Sequence, residues 1–193
     1  MAIHNTYEID DLKTLRLFSN PLRRQIYEAI IPRLLSAKEI GEKLGINFTK
    51  LYYHLNLMEK AGIIKVEDER IVSGITEKYY RAIAKRMQIA PNLLSSGTDR
   101  EKQSINQVLL STLETTEKDI ERSLHAQYAE LEEDTNVIFI SRQLSYLTDE
   151  QANEFYEKLN SLIKEYESEN SGNSDMQSFA LMIAFYPSYY FEH

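Results

Sequence analysis

The sequence predicts a mainly α protein with a small β component (α+β), divided into two parts of different character. Three observations support this fold class. Two short helical patterns meet across one tight turn between Ser36 and Gly62. A two-stranded hairpin pattern follows over residues 63–82, and a long helical pattern runs over residues 99–131. Helices combined with a segregated small β element are typical of α+β domains.

The stretch from Ser36 to Gly62 predicts two helices joined by a turn. Ser36 and Glu39 have the spacing of a capping box, in which the hydroxyl and the carboxylate each satisfy a free backbone N–H at the helix start. Gly45 suits the positive φ at the end of this helix, and Asn47 is a favourable N-cap for the next one. Two helices joined by a turn of about three residues form a helix-turn-helix.

The second helix of this pair has one apolar face and one polar face. Leu51, Leu55 and Met58 recur at helical spacing and predict the buried face. The residues left to point outward are Thr49, Lys50, Tyr52, Tyr53 and Asn56. A helix fits the DNA major groove, and these side chains can bond base edges or phosphates. An ordinary solvent-facing helix is the alternative interpretation.

The flanking elements complete a winged helix-turn-helix. Asn20 and Pro21 begin a scaffold helix that leaves Arg23 and Arg24 partly exposed. Residues 63–66 predict a strand, residues 67–70 a charged loop, and residues 75–82 the returning strand, with a turn at Ser73-Gly74. This hairpin is the expected wing. Its cations are Lys65, Arg70 and Lys78, but its acidic root disfavours phosphate contact.

Charge separates the two halves of the chain. The net charge of the whole is −8. Residues 1–90 carry 15 Lys and Arg against 11 Asp and Glu, a net of +4, whereas residues 91–193 carry 7 against 19, a net of −12. Because phosphate contacts supply most non-specific affinity for DNA, the local sign matters more than the total. The asymmetry predicts a DNA-binding domain over 1–90 and a second domain over 91–193.

Several separated motifs resemble bacterial winged-helix repressors of the ArsR-like (arsenical-resistance repressor) family. The matching stretches are Asn20-Pro21-Leu22-Arg23 with Ile26, residues 36–45, Tyr53-His54-Leu55, residues 58–64 and residues 77–81. The resemblance extends over about residues 12–85. It implies a DNA-binding function and a structural position for His54, and it favours repression over activation. The DNA-contact candidates are Thr49, Lys50, Tyr52, Tyr53, Asn56, Lys38, Arg23, Arg24, Arg70 and Lys78.

The second half predicts a long helix followed by a strand–helix–strand module. The long helix covers residues 99–131, with Ile105, Leu109 and Leu113 on its apolar face, and is expected to pack against its twin in a dimer. A strand over 136–147, a helix over 149–166 and a strand over 177–186 follow. Two strands are too few for a stable sheet, which also favours a dimer.

Aromatic residues are frequent in this half. They either fill its core or line a pocket for an apolar or aromatic effector. The candidate pocket residues are Phe139, Tyr146, Phe155, Phe179 and Phe185.

Other functional classes receive little support from the sequence. The chain has no cysteine and only six glycines, none clustered, so thiolate metal sites and phosphate-binding glycine loops are excluded. Glu121 and His125 have the spacing of a metal half-site, but a salt-bridged surface pair is the better interpretation. We therefore expect no enzyme, no cofactor and no metal. No signal peptide or membrane span is evident, which indicates a cytoplasmic protein.

The predicted function is that of a sequence-specific transcription regulator, and repression is the expected direction of control. It is expected to act as a homodimer on a pseudo-palindromic operator in double-stranded DNA, with a small-molecule effector as a further partner. The alternative is a ligand-binding or protein-interaction module that retains the winged-helix shape without binding DNA. The net charge of −8 and the acidic root of the wing favour this alternative.

Overall fold

The computed structural model describes residues 3–95, 98–128, 138–166 and 179–188. The elements of the first part are β1 (His4–Ile9), α1 (Leu12–Phe18), α2 (Pro21–Ile30), β2 (Leu35–Ser36), α3 (Ala37–Leu44), α4 (Phe48–Lys60), β3 (Ile64–Val72), β4 (Ile75–Ala82), β5 (Ala84–Ile89) and α5 (Pro91–Ser95). Two long helices follow, α6 (Asp99–Tyr128) and α7 (Asp149–Glu165). The predicted α+β class with a winged helix-turn-helix is confirmed.

One hydrophobic core holds α2, α3 and α4 against a three-stranded sheet in the order β2-β4-β3. Ile26, Ile40, Leu51 and Leu55 are fully buried in it. Buried residues recur at helical spacing on each helix, Ile26 with Ile30 on α2, Ala37 with Ile40 on α3 and Leu51 with Leu55 on α4, so each helix turns one apolar face inward. The sheet pairs β4 antiparallel with both β2 and β3, which fixes the hairpin onto the helices.

The hairpin differs from its predicted form. Residues 67–70 were expected in a loop, but they belong to β3 and pair with β4, Glu69 opposite Lys78 and Arg70 opposite Glu77. A register shift between Val66 and Asp68 accommodates this longer strand. Charged side chains are tolerated here because the outer part of the hairpin is exposed on the surface.

A parallel strand pair closes the first part of the chain. β1 pairs with β5, His4 opposite Ala84 and Ile9 opposite Ile89. The composition of residues 83–97, with Pro91, Ser95, Ser96 and Gly97, predicts a linker. The structure corrects this, because β5 and α5 lie in that range. The pairing partners lie about eighty residues apart in sequence, and local composition carries no signal for such a distant ladder.

The first part of α6 packs onto this assembly. Ile105 and Val108 are buried against Ile9 and Leu15. The guanidinium of Arg16 donates to the Ser104 hydroxyl at 3.0 Å from Nε. Ser111 donates its hydroxyl proton to the Ser19 carbonyl at 2.7 Å.

The chain divides into two compact units, Met1–Glu117 and Lys118–His193. The first unit extends beyond residue 90, where the sequence placed the boundary, because α6 supplies buried residues to its core. The assignment of two functional domains stays a prediction. The long helix predicted over 99–131 is confirmed to Tyr128, and residues 129–131 lie outside the described residues.

In the second unit, the helix predicted over 149–166 is confirmed as α7, with its capping box between Thr148 and Gln151. The two predicted strands on either side of this helix are not confirmed. Residues 138–147 and 179–186 have no regular secondary structure, whereas 136–137 and 177–178 lie outside the described residues. An apolar pattern favours an extended chain, but a strand is defined by its hydrogen-bonded pairing with a neighbour, which the pattern does not specify. No helix among the described residues is long and apolar enough to cross a membrane.

Candidate nucleic-acid interface

The helix-turn-helix is built by the local signals that the sequence contains. The Ser36 hydroxyl accepts from the Glu39 amide at 3.2 Å, and the Ser36 amide donates to the Glu39 carboxylate at 2.6 Å. Gly45 ends α3 with a φ of 65°, in the left-handed region. The Asn47 side chain then accepts from the Thr49 amide at 2.9 Å and begins α4. These caps fix the direction in which α4 leaves the turn.

The side of α4 that faces away from the core is exposed to solvent. All five predicted contact residues on this helix are exposed: Thr49, Lys50, Tyr52, Tyr53 and Asn56. Their exposure follows from the burial of Leu51, Leu55 and Met58 on the opposite face. Tyr52 and Tyr53 are 48% and 61% exposed, which is high for aromatic side chains on a packed helix. The helix therefore presents one cation, two phenols, one amide and one hydroxyl on a single surface, which we call the α4 outer face.

His54 lies at the border of that face and is buried. Its ring packs edge-to-face with Tyr53, with ring centroids 5.3 Å apart, and its Nδ1 is buried without a hydrogen-bond partner. Burial lowers the pKa of His54, and the nearby charges of Arg23 and Lys50 lower it further. A neutral imidazole adds no repulsion to the cations around it. The structural position expected for His54 agrees with this burial.

The two arginines of α2 have different surroundings. Arg23 is partly buried, and its guanidinium donates to the Leu17 carbonyl. Burial lowers the pKa of Arg23, and Tyr53 of the α4 outer face opposes that effect, so Arg23 lies beside the predicted contact surface. Arg24 instead donates to the carbonyl oxygen of Ser111 on α6 at 3.1 Å. The structure therefore does not bring Arg24 together with the α4 outer face.

The cations of the wing are largely engaged in local pairs. Arg70 contacts the Asp68 carboxylate at 2.7 Å and lies over the Tyr79 ring, 4.1 Å from its centroid. Lys65 pairs with Glu67 at 3.0 Å. Lys78 is exposed, and so is Lys38 in the first turn of α3. The acidic root of the wing is thus partly neutralised by Lys65 and by Arg70, of which Arg70 was a predicted DNA contact.

The tip of the wing has a feature that sequence reasoning missed. Ile71, Val72 and Ile75 are 80%, 41% and 68% exposed around the two-residue turn at Ser73 and Gly74. Both turn residues have positive φ, 53° and 81°, as tight hairpin turns require. The sequence placed Ile75 in the returning strand but predicted no strand at Ile71 and Val72. Both belong to β3, which continues to Val72, and their exposure depends on the length of this strand.

The aromatic residues proposed for an effector pocket are only partly brought together. Phe155 of α7 contacts Phe185, with ring centroids 4.9 Å apart. Phe139, Tyr146 and Phe179 are 84%, 89% and 69% exposed. The effector pocket in the second unit stays a prediction. Among the described residues, no group of three or more His, Asp or Glu side chains is arranged to hold a metal ion.

Comparison with known proteins supports the helix-turn-helix. Residues 18–67 match a family model described as a helix-turn-helix domain. Among solved structures, reduced HlyU from Vibrio cholerae N16961 is similar over 50% of this chain and 83% of its own, with 18% sequence identity and a TM-score of 0.30. No curated protein matches the sequence.

Proposed function

Because residues 18–67 form a helix-turn-helix domain, we propose that the protein is a sequence-specific DNA-binding transcription regulator, acting as a repressor. The observation that carries the proposal is the α4 outer face. Five polar or aromatic side chains stand exposed on one helix whose other side is completely buried. This is the arrangement that a recognition helix needs, because only its outward side chains can reach base edges in the major groove.

The residues of this face suit different parts of the contact. Lys50 supplies a positive charge for phosphate or for a guanine edge, and Asn56 can pair with adenine. The hydroxyls of Tyr52 and Tyr53 suit phosphate oxygens. Lys38 in the first turn of α3 and Arg23 beside Tyr53 extend the cationic surface. The net charge of +4 over residues 1–90 supports attraction of the duplex to this part of the chain.

The proposal includes a homodimer. Leu109, Leu110 and Leu113 of α6 are 45%, 60% and 53% exposed. Phe139, Tyr146 and Phe179 of the second unit are still more exposed. Exposed apolar side chains that lie together on one helix, as the three leucines do, are characteristic of interaction sites, and a second copy of the chain is the occupant that a palindromic operator requires. Two recognition helices would then enter successive major grooves about 34 Å apart.

The decisive experiment selects bound fragments from the source genome with the purified protein and then titrates the selected DNA by fluorescence anisotropy. Affinity should fall steeply as salt is raised, because each neutralised phosphate releases a counterion. Lys50→Ala should weaken binding, whereas Lys102→Ala, at an exposed position of α6, serves as a charge-matched control. No enrichment of any fragment, together with no salt-dependent binding, would contradict the proposal.

One observation favours a second candidate, a protein-interaction module that retains the winged-helix shape. The exposed tip of the wing is apolar, with Ile71, Val72 and Ile75 uncovered, and Arg70 and Lys65 are paired with carboxylates. Apolar side chains at a hairpin tip suit a protein groove better than a phosphate backbone. Under this candidate, Ile71→Ser abolishes the activity and Lys50→Ala leaves it unchanged.

A further inference from the structure

The first unit contains a cavity of about 170 Å³ between α1, the β1–β5 pair and α6. Its walls are mostly apolar and include Ile9, Phe18, Ile89 and Val108. An apolar cavity of about 150 Å³ holds a molecule the size of benzene. The space therefore fits one ring or a short branched chain, and it is too small for an extended ligand.

One charged side chain, Arg24 of α2, reaches this cavity. One terminal nitrogen of its guanidinium donates to the Ser111 carbonyl at 3.1 Å. Its Nε is buried and has no hydrogen-bond partner. A buried donor without an acceptor is uncommon in folded proteins and marks a position where an acceptor is missing. The guanidinium fork matches the two oxygens of a carboxylate better than it matches a single carbonyl.

We propose that this cavity binds a small monocarboxylate with a ring-sized apolar body. The carboxylate accepts from Nε and from a second N–H of Arg24, and the apolar body occupies the space between Phe18, Ile89 and Val108. Among the described residues that line the cavity, Arg24 alone is ionisable, so a neutral or cationic analogue leaves its guanidinium without a compensating charge.

The position of the cavity couples such a ligand to DNA binding, and this step rests on the proposed function. The wall formed by Val108 and Thr112 belongs to α6, and the wall formed by Phe18 and Ser19 adjoins α2 of the core that supports α4. A carboxylate on Arg24 competes with the Ser111 carbonyl for the same guanidinium. Since Leu109 and Leu113 lie on the same helix, movement of α6 changes the spacing of two recognition helices in a dimer.

The site is tested first by direct binding of benzoate to the full-length protein, without DNA. Methyl groups of isoleucine and valine are isotopically labelled, and their NMR signals are followed during the titration. Saturable shifts at Ile9, Ile89 and Val108 are expected, with a Kd between about 10 µM and 1 mM for a ligand of this size. Benzyl alcohol, which has the same ring without the charge, should bind at least about tenfold more weakly. Absence of these shifts at about 10 mM benzoate, or equal affinity for the alcohol, overturns the proposal.

The role of Arg24 is tested by Arg24→Gln, with Arg33→Gln at an exposed position as the matched control. Benzoate affinity should fall at least about tenfold in the first variant and stay unchanged in the second. If Arg24→Gln does not fold, nuclear Overhauser contacts between benzoate ring protons and the Val108 and Ile89 methyls in the unmodified protein decide the location instead. Contacts to other methyls only would overturn it.

The regulatory step is tested by repeating the anisotropy titration with saturating benzoate. A change in DNA affinity of at least about threefold, absent in Arg24→Gln, supports the coupling. Benzoate binding without any change in DNA affinity overturns it. If the protein binds no DNA at all, the transcription proposal fails, but the methyl titration still decides whether the cavity binds carboxylates.

Discussion

The phenolic oxygen of Tyr27 lies 2.6 Å from the carbonyl oxygen of Ala84 and 3.1 Å from the amide nitrogen of the same residue. The hydroxyl therefore donates one hydrogen bond and accepts another, and it ties α2 to the start of β5. Burial raises the pKa of Tyr27 to about 12. Phe18 packs edge-to-face on the same ring at 5.2 Å.

Tyr27→Phe should lower the free energy of unfolding by about 2 kcal/mol, because it leaves the buried N–H and C=O of Ala84 without partners. Urea denaturation followed by circular dichroism measures the change. Tyr146→Phe is the matched control, because Tyr146 is 89% exposed, and it should change stability by less than about 0.5 kcal/mol. Equal stability of the two variants would show that the contact with Ala84 contributes nothing.

Stability should fall as pH drops below the ordinary His pKa of 6.5, because the pKa of His54 is lowered in the folded state. In that range the unfolded chain binds a proton that the folded chain does not bind. The loss continues until the pH reaches the lowered pKa of the folded protein. Urea midpoints measured from about pH 7.5 to about pH 5 provide the test. His54→Gln lacks this dependence and should give a flatter profile over the same range; an equally steep profile would contradict the assignment.

The α4 outer face should contribute more to DNA binding than the wing. Lys50→Ala should reduce affinity and lower the slope of log K against log salt by about 0.9, the effect of one lost phosphate contact. Arg70→Ala should change the slope little, because Arg70 is already paired with Asp68. Asn56→Ala should relax sequence preference at a constant salt slope. A larger loss for Arg70→Ala than for Lys50→Ala would reverse this order.

Dimerisation should depend on the exposed leucines of α6. Leu109→Glu combined with Leu113→Glu places two charges on a face that a second copy must cover, and such charges oppose desolvation. Sedimentation equilibrium should then give a monomer in place of a dimer. Gln107→Glu adds the same kind of charge at an exposed polar position of α6 and should leave the dimer intact. A monomeric unmodified protein would refute the dimer directly.

Features that depend on neighbouring residues could be predicted from the sequence, whereas features that depend on distant residues could not. The caps at Ser36 and Asn47 were predicted because each depends on residues within one helical turn. The parallel pairing of β1 with β5 was not, since its partners are far apart in the chain. The strand expected near Phe139 was based on a continuous apolar run and the strand near Phe179 on alternating side chains. Neither pattern identifies the neighbouring strand.

The residues of the candidate site show the same difference between local and long-range interactions. The exposure of Lys50 and Asn56 follows from the period of one helix, and the sequence predicts it correctly. The period of α2 likewise predicts a partly exposed Arg24. In the structure, however, α6 packs beside it from a distant part of the chain. The sequence carries no signal for this tertiary contact, and the role of Arg24 in DNA binding stays a prediction.

The contacts that β4 and β5 make with residues earlier in the chain also determine how short a folded fragment of this protein can be. A fragment limited to residues 18–67, the part that matches the family model, ends within β3 and lacks β4, β5 and Ala84. It would lose the sheet partner of Leu35 and the acceptor of the Tyr27 hydroxyl. The segment that is recognisable in other proteins is therefore shorter than the segment that must fold together.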